Sequence, residues 1–151
     1  PGRHGSLLPG VTSFGRAGVR NAYLVGPSQL TAEIKKRPPP FNISVLNAEA
    51  ALFALEHADE YARQATLIRD QRERLFRALQ DMPGVHPWPS QANMVLARVP
   101  DAAATFAGMK ARDVLIKNVS ALHPLLANCL RITVGTPDEV TLTLAALRAS
   151  L

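Results

Sequence analysis

Three consecutive prolines, Pro38-Pro39-Pro40, divide this 151-residue chain. Proline holds φ at roughly −65° and has no amide hydrogen, so neither a helix nor a central strand runs through such a triplet. The stretch from Arg37 to Pro40 therefore reads as a semi-rigid extended connector. The chain is expected in two parts, residues 1–40 and residues 41–151.

The first part is poor in pattern. Pro1, Gly2, Gly5, Pro9, Gly10, Gly15 and Gly18 punctuate residues 1–18, and no periodicity survives them. Val19 to Val25 reads as a short strand ended by Gly26-Pro27, and residues 27–30 open a short helix running towards Lys36. The strand has no partner in the predicted set. An unpaired edge is a template for pairing with another copy, so a homodimer or swapped oligomer through residues 15–40 is expected.

The second part has the material for its own core. Asn42 or Ser44 is placed to cap a long helical stretch with an apolar stripe from Val45 to Glu56. His57-Ala58-Asp59 allows a break, and the pattern resumes through Tyr61, Ile68, Leu75 and Leu79 until Met82-Pro83-Gly84 stops it. The charged run Arg69, Asp70, Arg72, Glu73, Arg74 reads as a solvated face with i,i+4 pairs. Residues 85–89 form an irregular lead-in. Asn93–Val99, Val114–Lys117 and Cys129–Val134 read as strands. Asp101 caps a helix through Lys110, and Pro137 takes the first helical position after Thr136, ahead of Asp138 and Glu139. The expected fold is α+β: long helices packed on a three-stranded, mainly antiparallel sheet.

Composition narrows the function classes. The net charge of +5 is spread along the chain, and aromatic residues make up 5%. Both points weigh against a nucleic-acid surface, which needs a basic cluster and stacking platforms. No apolar run is long enough to span a membrane. The start of the sequence has no apolar segment of the signal-peptide kind, so a cytoplasmic protein is expected. The first residue is Pro1, not Met, which suggests a fragment or processed chain. Cys129 is the single cysteine, and His4, His57, His86 and His123 lack ligand spacing, so no metal site is expected.

Few residues carry chemistry, and no nucleotide-binding, hydrolase or zinc motif is present. Arg131 stands inside the apolar strand Cys-Leu-Arg-Ile-Thr-Val. Strand alternation places Cys129, Arg131 and Thr133 on one face and Leu130, Ile132 and Val134 on the other. Such an arginine either meets solvent or aims a planar fork at a carboxylate or phosphate. Lys117 ends a strand and could bring a second positive charge to a cleft. Asn93 begins another. Gly15-Arg16-Ala17-Gly18-Val19-Arg20 could bring backbone close to a phosphate.

Taken together, these segments resemble a known family. The run Asn118 to Glu139 looks like the C-terminal signature of the histidinol-phosphate aminotransferases. Arg37-Pro38-Pro39 with Phe41-Asn42 resembles their interdomain segment, and Asn93–Ala102 and Val114–Asn118 resemble their small-domain strands. The likeness covers residues 15–151. It implies the C-terminal part of a fold type I enzyme that uses pyridoxal 5′-phosphate (PLP) to move an amino group between histidinol phosphate and 2-oxoglutarate. Residues 1–40 would then be a remnant of the large PLP-binding domain and the linker, and residues 41–151 the small domain. By the same resemblance Arg20 binds the cofactor phosphate. Arg131 grips the anionic end of the substrate, Lys117 assists with its phosphate, and Asn93 lies near the substrate.

The sequence also departs from that pattern. Aligned without a gap to Gly15–Arg20, the family's Schiff-base lysine falls on Ser13, and no lysine occurs before Lys35. Serine cannot form a Schiff base with PLP. The expectation is therefore a chain that binds no PLP and does not transaminate on its own. The alternative is a non-catalytic oligomerisation or interaction module derived from the same fold.

Overall fold

The computed structural model describes residues 6–8, 23–36 and 43–151. It contains two compact units, 1–62 and 63–151. Ser13, Arg20 and the 37–40 connector lie outside the described residues.

In the first unit, β1 (Ser6–Leu8) pairs antiparallel with β2 (Tyr23–Val25), with Leu7 opposite Leu24. Sequence pattern alone leaves β2 without a partner, and the pairing with β1 corrects that expectation. A three-residue strand of Ser-Leu-Leu among glycines and prolines is too short to show alternation, so only the long-range pairing reveals it. Helix α1 (Ser28–Lys35) follows Pro27. Helix α2 (Val45–Glu56) begins at Ser44, whose Oγ accepts from the Asn47 amide at 3.2 Å. Val45, Leu46, Leu52, Phe53 and Leu55 on α2 are exposed. Helix α3 (Ala58–Gln80) starts just after His57 and crosses from one unit to the next.

The second unit holds a four-stranded antiparallel sheet, in the order β3 (His86–Pro87), β4 (Met94–Arg98), β6 (Cys129–Thr133), β5 (Lys117–Asn118). Two details differ from expectation. The lead-in at 86–87 is a fourth strand, with His86 opposite Arg98. Pro87 hid it, yet proline is tolerated on an edge strand. The strand expected over Val114–Lys117 pairs only at Lys117 and Asn118. Val114 and Ile116 still alternate inward, with Leu115 78% exposed between them.

One face of the sheet is the core. Val95 and Ala97 from β4 and Leu130 and Ile132 from β6 are fully buried, packed with Leu75 and Leu79 of α3. Helix α4 (Ala102–Lys110) adds Met109, and α5 (Pro137–Arg148) adds Val140, Leu144 and Leu147. Both helices are capped as their sequences dictate. Asp101 Oδ1 accepts from the amides of Ala103 and Ala104 at 2.9 and 3.0 Å. Thr136 and Glu139 form a reciprocal capping box at the start of α5. Gly84, at φ 76°, turns the chain after α3.

The charged run on α3 is not wholly solvated. The Arg72 side chain is only 13% exposed, and its Nη1 reaches the Ala92 carbonyl at 3.4 Å. Arg74 donates to Pro137 O at 3.0 Å and Thr141 Oγ1 at 2.7 Å, tying α3 to the first turn of α5. Periodicity assigned these residues to a face but could not show that α5 lies within reach. Among the described residues, no helix is long and apolar enough to cross a membrane.

Candidate anion-binding face

The other face of the sheet carries the charge. Ladder register sets which side chains share it. Arg131 pairs with Leu96 on one side and Lys117 on the other. Directly opposed residues of an antiparallel pair share a face, with Cβ atoms about 4.5–5.5 Å apart. Lys117 and Arg131 are therefore neighbours, while the alternate residues Leu130 and Ile132 face the core. Arg98 and His86 lie further along the same face.

Two like charges held side by side repel, and neither has an acidic partner among the described residues. The Nε of Arg131 is buried without a hydrogen-bond partner. Buried polar groups in folded proteins nearly always have partners, so an orphaned guanidinium nitrogen beside a lysine has the chemistry of an incomplete anion site. The Nε of Arg72 is orphaned in the same way, but it lies under the turn leading into β4.

Sequence and structure agree unevenly on the candidate residues. Lys117 and Arg131 come together. Asn93 does not join them: its carbonyl accepts from the Val134 amide at 2.8 Å, three residues along β4 from the Leu96–Arg131 pair. That is about 10 Å at strand spacing. Cys129 is fully buried, as a small apolar residue would be. Arg98 is not among the residues expected from sequence, although it stands in an alternating strand just as Arg131 does. A groove of about 400 Å³ opens elsewhere, between Asp113–Leu115, Val134, Glu139 and Leu142, and none of the candidate residues lines it.

Among the described residues, no lysine is enclosed as a Schiff-base lysine would be. A Schiff-base lysine stands in an enclosed pocket, whereas all four lysines of the chain, Lys35, Lys36, Lys110 and Lys117, are exposed. Lys36 is paired with Glu33 at 2.6 Å. No chemical step through PLP follows from these side chains.

The sequence profile of class I and II aminotransferases matches residues 12–147, and the chain belongs to that family. It is 62% identical over 148 residues to the histidinol-phosphate aminotransferase of Methylibium petroleiphilum and 58% identical over 149 residues to that of an Acidovorax species. In each case the match takes in 98% of this chain and 40% of the relative. The chain thus spans about 40% of the length of these curated relatives.

Solved structures agree on the fold. A putative aminotransferase from Burkholderia pseudomallei is 30% identical with a TM-score of 0.79, covering 90% of this chain and 41% of that one. The histidinol-phosphate aminotransferase of Clostridium acetobutylicum shows the same fold at 20% identity and a TM-score of 0.83, covering 95% and 44%. That of Sinorhizobium meliloti was solved in complex with pyridoxal-5′-phosphate; it is 25% identical with a TM-score of 0.67, covering 90% and 38%.

Proposed function

We propose that residues 41–151 are the small domain of a histidinol-phosphate aminotransferase-like enzyme and that Lys117 and Arg131 hold the phosphate of its substrate. Residues 1–40 are read as the linker and part of the large, cofactor-binding domain. The observation that carries the proposal is the register of β5 on β6. It sets two unpaired cations side by side on an open sheet face, with the Arg131 Nε lacking a partner. Charge-assisted bonds from Lys and Arg to a phosphate contribute roughly 1.5–3 kcal/mol each. The high identity to named histidinol-phosphate aminotransferases supports the substrate class.

The chain itself does no transamination in this reading. Ser13 occupies the position of the Schiff-base lysine, and the exposed lysines do not replace it. Arg20 is read as a cofactor-phosphate ligand of the complete enzyme.

Thermal unfolding with and without ligand tests the site. Inorganic phosphate and histidinol phosphate should raise the unfolding midpoint of the wild-type chain and leave Arg131→Met unmoved. Equal behaviour of the two proteins counts against the assignment. For activity, borohydride reduction in the presence of PLP followed by intact mass should show no single-lysine adduct, and turnover of histidinol phosphate would overturn this part of the proposal.

The alternative reading, an interaction module that self-associates through residues 15–40, rested on an unpaired strand. β2 has β1 as a partner, so that argument is weakened. Light scattering at tens of micromolar protein distinguishes monomer from oligomer.

A further inference from the structure

The segment joining β5 to β6, residues 119–128, connects the two candidate phosphate-holding residues. It begins just after Asn118 and ends at Cys129, with a single 3₁₀ turn at Pro124–Leu126. Its last residue is tied to the chain beyond β4: the Asn128 carbonyl accepts from the Val99 amide at 2.9 Å and its Oδ1 from the Ala102 amide at 3.4 Å. His123 Nδ1 accepts from the Leu125 amide at 3.2 Å, and the Val119 amide donates to Cys129 O at 3.1 Å. The stretch before Asn128, 125–127, is fastened to the sheet by Arg98. The Arg98 Nε donates to Ala127 O at 3.1 Å and its Nη2 to Leu125 O at 2.9 Å. The guanidinium also sits 5.4 Å from the centroid of the Trp88 ring. A planar fork meeting two carbonyls with an aromatic ring beside it is an arrangement a lysine cannot reproduce.

The consequence for the sheet face is visible in burial. Arg98 is opposite Cys129 across the β4–β6 ladder, and Cys129 shares a face with Arg131, about 7 Å along the strand. At one end of this face Thr133 is exposed. At the other Cys129 is fully buried, although it is not part of the core cluster on the opposite face. Its Sγ lies 3.6 Å from the Ala127 carbonyl, one of the two that Arg98 holds. The Ala127 carbonyl thus lies against the Cys129 end of the face, two residues along β6 from Arg131.

We infer that Arg98 is a positioning residue for the anion site. By fastening 125–127 to the sheet it holds the Ala127 carbonyl at the Cys129 end of the face and fixes the hairpin that sets Lys117 against Arg131. The inference rests on the anion reading above and extends it to a residue that itself touches no ligand.

The chain's only cysteine lies under this clamp and so reports on it. The experiment uses the full chain in native buffer, with two readouts. Labelling of Cys129 by a thiol reagent reads opening of the clamp. Inorganic phosphate titration, followed by NMR at Lys117 and Arg131, reads the site. Arg98→Met should label at least about tenfold faster and bind phosphate about five- to tenfold more weakly, the scale of about one ordinary hydrogen bond's net contribution passed on to the site. Arg98→Lys keeps the charge and should fall between. Arg131→Met should lose phosphate binding with Cys129 labelling unchanged.

An Arg98→Met chain that labels as slowly as wild type overturns the clamp. One that labels fast yet keeps wild-type phosphate affinity shows Arg98 ordering the segment without positioning the site, and also overturns the inference. If the wild-type chain binds no phosphate, or Arg131→Met binds it equally well, the anion reading fails and the positioning role falls with it. Both results are seen in the phosphate arm, independently of labelling.

Discussion

Lys117 stands directly opposite Arg131 in the β5–β6 ladder, and neither cation is ion-paired among the described residues. Like charges in that position destabilise a sheet by roughly 0.2–1 kcal/mol. Removing one of them should therefore strengthen the fold. Lys117→Met is expected to gain about 0.5 kcal/mol in urea unfolding at low ionic strength, with the gain shrinking as salt screens the pair. A loss of stability would show that Lys117 is held by something other than repulsion.

The start of α5 gives a pH prediction. The backbone amide of Thr136 donates to Glu139 Oε2 at 2.7 Å, and that bond, followed by the Thr136 side chain, holds the Glu139 carboxyl below its ordinary value. A depressed carboxyl contributes stability that is present above its unfolded-state pKa. The contribution is lost as pH falls through the lower folded-state value. Glu139→Gln should lose that increment at neutral pH and converge on the wild type at low pH, which flattens its acid-unfolding curve. A variant that follows the wild-type curve on acidification would contradict the capping box.

The same box explains the glycine before it. A Cβ on Gly135 would run into the Glu139 carboxylate and lie 2.9 Å from its Cβ. Gly135→Ala should therefore disturb α5 as Thr136→Ala does, the latter by about 1 kcal/mol. Circular dichroism melts of the two variants should show similar shifts.

Arg74 supplies a prediction that separates charge from reach. It bridges α3 to Pro137 O and Thr141 Oγ1. Arg74→Met should cost about 1–2 kcal/mol, whereas Arg77→Met, on the exposed side of the same helix, should stay within about 0.5 kcal/mol. Equal effects in denaturant unfolding would mean that the bridge contributes nothing.

Burial makes the clearest contrast in the sheet. Leu130→Ala empties a fully buried site and should cost about 2–5 kcal/mol. Leu115→Ala removes a side chain that is 78% exposed, and its urea midpoint should barely move.

The elements that sequence revealed are those whose signals are local. Ser44, Asp101 and Thr136 mark helix starts by chemistry available within three residues, and all three cap. Alternation in Cys129–Val134 gave Arg131 its face, since Leu130 and Ile132 cannot both stay wet. Features set by distant partners were not legible. β1 and β3 are short and interrupted by turn residues or proline, so pairing alone defines them. Whether Lys117 meets Arg131 depends on register, which no local pattern encodes. Arg98 went unnoticed because the carbonyls it holds, at 125 and 127, are 27 and 29 residues away.

The central claim is that Lys117 and Arg131 together hold a phosphate. Titration of the wild-type chain with inorganic phosphate at fixed ionic strength, followed by NMR at both side chains, tests it most directly. The account predicts saturable shifts of Lys117 and Arg131 together, absent in Arg131→Met, with Lys35 and Lys36 unmoved. Shifts spread equally over all lysines, or persisting without Arg131, would contradict it.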